Sequence, residues 1–478
     1  MRIASNLAFD KEATFSVATN ATLTLAYVGG TADLVKEGPG RIVLSGNNNS
    51  SGRTAGATIV KAGRLEFAST GKLLGRQLVV GGFGEPAVAY ATYVSQWNWN
   101  PMSGDYVGVF EVGDMGVLDL SANQNSVQLQ SMSRFTVSKG GTLKVGKTRL
   151  LTTGADTIHF FLEGSVESTA NGELNMANSG RLVIPETRDD MLVFDGGIRC
   201  KGDYYSGGAY EGGTAWGNRY PRIFVADIPG APVDFVLNGH VYGQGDGDGF
   251  DKRDPGVMRM TASNTYGGRS SSEGMTRVHG GTLLVDNVEG SATGKSRVEV
   301  AKGTTLGGTG RVGGIAGANN SALVVSGADG NPATVRPGTI ADATGAFIAG
   351  TLTAGSTNQV CPTTFGDYSE LKISLTPAGA SSLAVFGAVT VSSTGTKLTL
   401  EAAGCTPDRV KGGRFRILSA TGGITGDFAS VERPRPSWKV IPVMATREVE
   451  GGEGETVAEE YVAAFDLDII KGTYILVR

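Results

Sequence analysis

Cysteine and histidine are scarce in this chain, with three of each among 478 residues. Cys200, Cys361 and Cys405 lie far apart and make no Cys-x-x-Cys pair, so neither a zinc site nor a disulfide framework is indicated; a Cys361 to Cys405 bridge stays open. None of His159, His240 and His279 neighbours a Ser or Cys nucleophile motif, which points each of them to a structural role. No apolar run approaches the ~18 residues of a membrane-spanning helix. Net charge is only -4, the charged fraction is 18%, and no block of like charges stands in the sequence, so nothing suggests nucleic acid. The start, Met1 to Leu7, lacks the apolar run of a signal peptide, and the expectation is a piece of a longer exported chain.

Glycine, by contrast, is abundant: 73 residues, spread along the whole chain. Glycine costs about 1 kcal/mol against alanine inside a helix, so this density calls for many turns between short strands. With 40% hydrophobic residues and little net charge, the chain can also bury a core, which excludes disorder.

A strand signal recurs. It reads Gly63-Arg64-Leu65-Glu66-Phe67, Gly116-Val117-Leu118-Asp119-Leu120, Gly141-Thr142-Leu143-Lys144-Val145, Gly172-Glu173-Leu174-Asn175-Met176, Gly180-Arg181-Leu182-Val183-Ile184 and Gly281-Thr282-Leu283-Leu284-Val285. The glycine suits a turn at positive φ, and the leucine and the residue two later share one face. Taken alone, such strands fit a sandwich or a solenoid.

A longer unit decides between them. Gly38-Pro39-Gly40-Arg41-Ile42-Val43-Leu44-Ser45-Gly46-Asn47-Asn48-Asn49, followed by Val60-Lys61-Ala62-Gly63-Arg64-Leu65, is echoed by Pro255-Gly256-Val257-Met258-Arg259-Met260-Thr261-Ala262-Ser263-Asn264-Thr265-Tyr266-Gly267, followed by Val278-His279-Gly280-Gly281-Thr282-Leu283. This unit resembles the autotransporter-associated β-strand repeat. Gly303 to Gly310, Val335-Arg336-Pro337-Gly338, Gly350-Thr351-Leu352-Thr353, Phe415-Arg416-Ile417-Leu418 and Gly426-Asp427-Phe428 fit the same pattern. The resemblance implies an all-β, right-handed parallel β-helix (β-solenoid). It would run continuously over 1–430, with aromatic-rich loop insertions at about 83–110 and 203–220 and terminal coils or a cap at 431–478. Asn47, Asn48, Asn49 and Asn264 would turn its corners. The short stretch after residue 430 has no room for a membrane-inserted translocator barrel of ~12 strands. Val457 to Ile470 reads equally as a short helix or as terminal strands.

Candidate sites lie where the repeat breaks. Tyr93, Trp97, Trp99, Tyr204, Tyr205 and Trp216 suit stacking on sugar rings, or else cover the side of the solenoid. Asp246, Asp248 and Asp251 have the composition of a calcium loop but not its spacing, and a solvated turn explains them as well. Parallel β-helices also host polysaccharide hydrolases and lyases, which need converging carboxylates; Asp189-Asp190 is the nearest candidate. No phosphate-binding loop occurs, and no cofactor is called for. The expected protein is a non-catalytic, secreted or surface-exposed passenger, a stalk or adhesin meeting glycans or another cell's surface. A polysaccharide-active enzyme is the rival reading.

Overall fold

The computed structural model describes residues 1–46, 56–68, 77–92, 96–97, 109–123, 127–130, 134–146, 149–153, 159–177, 180–201, 203–205, 217–219, 221–243, 249–267, 275–295, 297–315, 321–450 and 456–469. These residues form β-strands and one short 3-10 turn, Pro407–Arg409. The chain divides into two compact units, Met1–Gly230 with Asp234–Gly247, and Ala231–Val233 with Asp248–Arg478.

In the first unit one parallel ladder runs through Arg2–Phe9, Thr22–Gly30, Arg41–Leu44, Gly63–Phe67, Ala87–Ala91, Gly116–Asp119, Thr142–Val145 and Ser165–Ser168. A second runs through Ala13–Ser16, Leu34–Glu37, Ala57–Val60, Gln77–Val80, Val109–Val112, Arg134–Val137, His159–Leu162, Arg181–Ile184 and Arg222–Val225. A third joins at Gln96–Trp97 and continues through Val127–Gln130, Arg149–Thr153, Glu173–Ala177, Gly197–Lys201 and Val241–Tyr242. A chain that visits each ladder in turn and comes back one strand further on is a parallel β-helix.

Strand residues alternate between faces, so one column of each ladder turns inward. Ile42, Leu65, Ala89, Leu118 and Leu143 stack in register, none more than 1% exposed. In the second ladder Phe110, Phe135 and Phe160 stack with successive ring centroids 5.7 Å apart. Each fully buried leucine, isoleucine or phenylalanine among them contributes about 1.5–3 kcal/mol by leaving water.

The stretch 83–110, read from its aromatics as an extruded loop, supplies Ala87–Ala91 to the first ladder and Gln96–Trp97 to the third. Ala87, Ala89 and Ala91 point inward and are fully buried. Alanine leaves so weak a hydrophobic alternation that the strand is hard to see beside its aromatic neighbours. In the stretch 203–220, Asp203–Tyr205 pairs antiparallel with Gly217–Arg219.

The second unit repeats the plan. One ladder links Phe250–Arg253, Met275–Val278, Arg297–Val300, Leu323–Val325, Thr363–Phe365, Val389–Val391 and Gly413–Thr425. Another links Val257–Met260, Thr282–Val285, Thr305–Gly308, Ala333–Pro337, Ser369–Leu375, Lys397–Ala402 and Ser430–Glu432. Its inward column is Met258, Leu283, Leu306, Val335, Leu371 and Leu398, all buried. A third links Arg311–Val312, Thr351–Ala354, Ser382–Val385 and Gly413–Thr425. The direction then reverses: Gly413–Thr425 and Trp438–Glu450 each pair antiparallel with Thr456–Ile469. Residues 457–469 are therefore strand, not helix.

Two physical reasons account for the recurring glycine. Gly63 and Gly281 sit at φ of +70° and +57°, as a turn requires. Gly116 and Gly141 are not at positive φ; a Cβ there would lie 2.0 and 2.3 Å from the carbonyl oxygens of Val80 and Val112. At those coils the glycine admits the neighbouring backbone. Cys361 and Cys405 form no disulfide with each other.

Candidate functional site

Each copy of the long unit is built around a buried lysine. Lys36 is fully buried, and its Nζ donates to the carbonyls of Glu37 at 2.8 Å, Gly38 at 2.6 Å and, one coil on, Ala62 at 3.0 Å. Lys252 is equally buried and donates to Asp254 at 2.7 Å, to Gly256, and one coil on to Gly280 at 2.8 Å. The corner that each lysine closes turns through a left-handed residue, Gly38 at φ +72° and Asp254 at φ +65°. A turn leaves carbonyls without strand partners, and each ammonium satisfies two of them; its third acceptor, Glu37 or Gly256, also takes a backbone N–H, from Val17 at 3.0 Å or Thr282 at 3.2 Å. Burial pushes the Lys36 amine down to about 8.

The aspartate pair lies beside a third corner of this kind. Arg188 is buried, and its Nη1 donates to the carbonyls of Leu162 at 3.2 Å, Glu163 at 3.0 Å and Gly164. Asp189 and Asp190 are exposed; Asp189 pairs with Lys139 at 2.6 Å and Asp190 with Arg188 at 3.1 Å. The two exposed carboxylates thus face separate cations, and the residue of that run held in the structure is the buried arginine.

Asp251 is buried on the outer side of its ladder, in register with Arg277 and Glu299. Its carboxylate lies 3.2 Å from Arg253, 4.0 Å from Arg277 and 3.8 Å from His279 Nδ1. Burial holds the His279 imidazole below its usual range, against the pull of Asp251. Asp246 and Asp248 lie outside the described residues. Among the described residues no three His, Cys, Asp or Glu side chains converge as metal ligands would.

Of the aromatic candidates, Tyr93, Trp99 and Trp216 lie outside the described residues. Trp97 stands on the third ladder, with its backbone opposite Leu129. Tyr204 and Tyr205 stand on the strand that pairs antiparallel with Gly217–Arg219.

The second unit holds a cavity that sequence reading missed. It measures about 150 Å³ and is lined by Thr282, Thr305, Thr334, Arg336, Phe347 and Lys372, among others. Thr282, Thr305 and Thr334 are in register and project from the face opposite the buried column Leu283, Leu306 and Val335. A two-stranded hairpin, Thr339–Ile340 with Phe347–Ile348, overhangs this face. Gly338, at φ +110°, lets the chain turn out of the ladder and leaves space for the Phe347 ring. The Arg336 guanidinium lies 4.4 Å from the Phe347 ring centroid.

Arg259 ties the hairpin down. It pairs with Asp286 at 2.9 Å and with Asp342, and donates to Thr339 Oγ1 at 3.3 Å and to the Ile340 carbonyl. The charges around the cavity are already matched: Arg336 with Glu401 at 2.6 Å, Lys372 with Glu370 at 4.0 Å, and Thr334 donating to Glu370 at 2.9 Å. Hydroxyls, a stacked guanidinium and an aromatic ring suit holding a small polar group. They offer no free carboxylate for acid or base work.

No curated protein matches the chain. Residues 34–67 and 250–285 match the passenger-associated-transport-repeat family. Each match spans two coils: Leu34–Glu37 and Arg41–Leu44 with the strands Ala57–Val60 and Gly63–Phe67 that they pair with, and likewise Phe250–Arg253 and Val257–Met260 with Met275–Val278 and Thr282–Val285. The buried lysine joins the two coils in both copies. With the repeat matched at two segments of a parallel β-helical frame, the chain is similar there to autotransporter passenger-like repeat proteins.

Proposed function

We propose that the chain serves as a non-catalytic passenger solenoid, displayed on a cell surface or secreted, acting as a stalk or adhesin toward glycans or a neighbouring cell. The observation that carries this reading is the state of the carboxylates. Catalysis on a sugar polymer needs two carboxyl groups flanking one bond. Asp189 and Asp190 are instead solvent-exposed, each spent on its own cation, and Asp251 faces Arg253, Arg277 and His279. The cavity beneath the Thr339–Ile348 hairpin likewise has its acids paired.

The rival reading, a polysaccharide-active enzyme, is separated by a glycan-array screen followed by a reducing-end assay on whatever binds. Binding without release of new reducing ends is expected. Product release abolished by Asp189→Ala and Asp190→Ala overturns the passenger reading. Export is checked by fractionating cells that express the gene with its natural flanking sequence, where the chain is expected outside the cytoplasm.

A further inference from the structure

Four side chains far apart in sequence stand in one file on the second ladder of the first unit. Arg134 is opposite His159, His159 opposite Arg181, and Arg181 opposite Arg222. Their strand neighbours Phe135, Phe160, Leu182 and Ile223 are buried, so the file lies on the outer face. Successive members are ~4.8 Å apart, the spacing of hydrogen-bonded strands.

Arg134 and Arg181 are held in place but not neutralised. The Arg134 guanidinium lies 5.6 Å from the ring centroid of Phe161, one coil on and in the adjacent column, and Arg181 lies 5.8 Å from that of Phe224 in the same relation. Arg134 and Arg181 make no ion pair with a carboxylate among the described residues. Nδ1 of His159, between them, has no hydrogen-bond partner there. Burial and then the fields of Arg181 and Arg134 hold the His159 imidazole below its usual range. Unlike His279, it has no carboxylate among the described residues pulling the other way.

We infer that this file binds an acidic polysaccharide laid across successive coils, with its anionic groups on the arginine and histidine column and its sugars along Phe161 and Phe224. An extended polymer with a charge on each repeating unit matches a single file at regular spacing. Nucleic acid calls for a broader basic surface, and this chain carries a net charge of -4. The inference goes beyond the passenger reading, since it names a ligand class for one face and holds for a stalk or an adhesin alike.

The test uses the full chain with polygalacturonate, neutral dextran and single-stranded DNA, by calorimetry at low and high salt. Polygalacturonate is expected to bind, more weakly as salt rises, and dextran not to bind. Arg134→Ser with Arg181→Ser should cost about tenfold per arginine. A control removing the same charge in the second unit, Lys397→Ser with Arg447→Ser, should keep the affinity. In the unaltered protein, bound polymer should raise the His159 pKa, read by NMR. Absent binding at low salt, an equal loss in the control, DNA binding as tight as polygalacturonate, or an unmoved His159 would each overturn the inference.

Discussion

Lys36 and Lys252 hold the same position in the two matched repeats, each donating from a buried ammonium to two carbonyls of its own corner and one of the next coil. The third bond is what makes the repeat a two-coil unit: it ties one turn of the helix to its neighbour through a side chain as well as through the ladders. Lys36→Met or Lys252→Met keeps the aliphatic bulk and leaves two carbonyls of each site without a donor, so about 2–4 kcal/mol of stability should be lost. Urea unfolding followed by circular dichroism measures it. A loss below about 0.5 kcal/mol would leave the lysines no structural part.

Burial lowers the Lys36 pKa from 10.5 in the unfolded chain to about 8. Between those limits the unfolded chain binds the proton that the folded form has released, so stability gains with rising pH. Below about pH 8 the full cost of the buried charge is present. The difference in unfolding free energy between the natural protein and Lys36→Met should therefore widen from pH 8 to pH 10.5. A difference that stays flat, or narrows, contradicts the assignment.

At Gly281 the left-handed backbone coincides with a crowded corner, where a Cβ would meet the Pro255 carbonyl oxygen at 2.3 Å. Gly281→Ala should destabilise by more than about 1 kcal/mol, since neither the dihedral nor the neighbour can yield cheaply. Gly379 is the control, with nothing within 4 Å of a Cβ and no left-handed backbone. Gly379→Ala should be neutral or slightly stabilising. Thermal unfolding of the two variants side by side decides the matter.

Arg259 fixes the overhanging hairpin from beneath through Asp286, Asp342, Thr339 and Ile340. In Arg259→Met the amides of residues 339–348 should exchange with deuterium at least tenfold faster. Protection of the inward strands Val257–Met260 and Thr282–Val285 should persist. Exchange unchanged at the hairpin would show that Phe347 packed over Gly338 holds it without the arginine.

The strands were legible where leucine, isoleucine or phenylalanine recur on one face, as at Gly63–Phe67 and Thr282–Val285. The Asn-Thr-Tyr turn was legible too: Asn264 and Tyr266 are both buried, with Asn264 Nδ2 donating to the Ala292 carbonyl at 2.6 Å and the Tyr266 hydroxyl 2.7 Å from Thr276 Oγ1. Lys36 and Lys252 were not, because a lysine in a strand reads as an outward residue until the carbonyls of the next corner are placed around it. The arginine file was hidden for a related reason. Arg134, His159, Arg181 and Arg222 are unevenly spaced along the chain, and only the coil register brings them into line. Residues 457–469 carry paired glutamates and paired alanines that suit a helix, and the distant partner strand Trp438–Glu450 settles them as strand.

The reversal of direction near the C-terminus bears on how one molecule meets another. The last coil of a parallel stack offers an edge that an identical coil, running the same way, can extend without limit, which is the geometry of a growing fibre. Here Gly413–Thr425 gives one edge to Ser382–Val385 and Val389–Val391, and the other to Thr456–Ile469 running the opposite way. A coil from another copy arriving on that ladder finds its landing strand already occupied by one of the wrong polarity. Strand direction alone therefore acts there as a stop signal against end-to-end polymerisation.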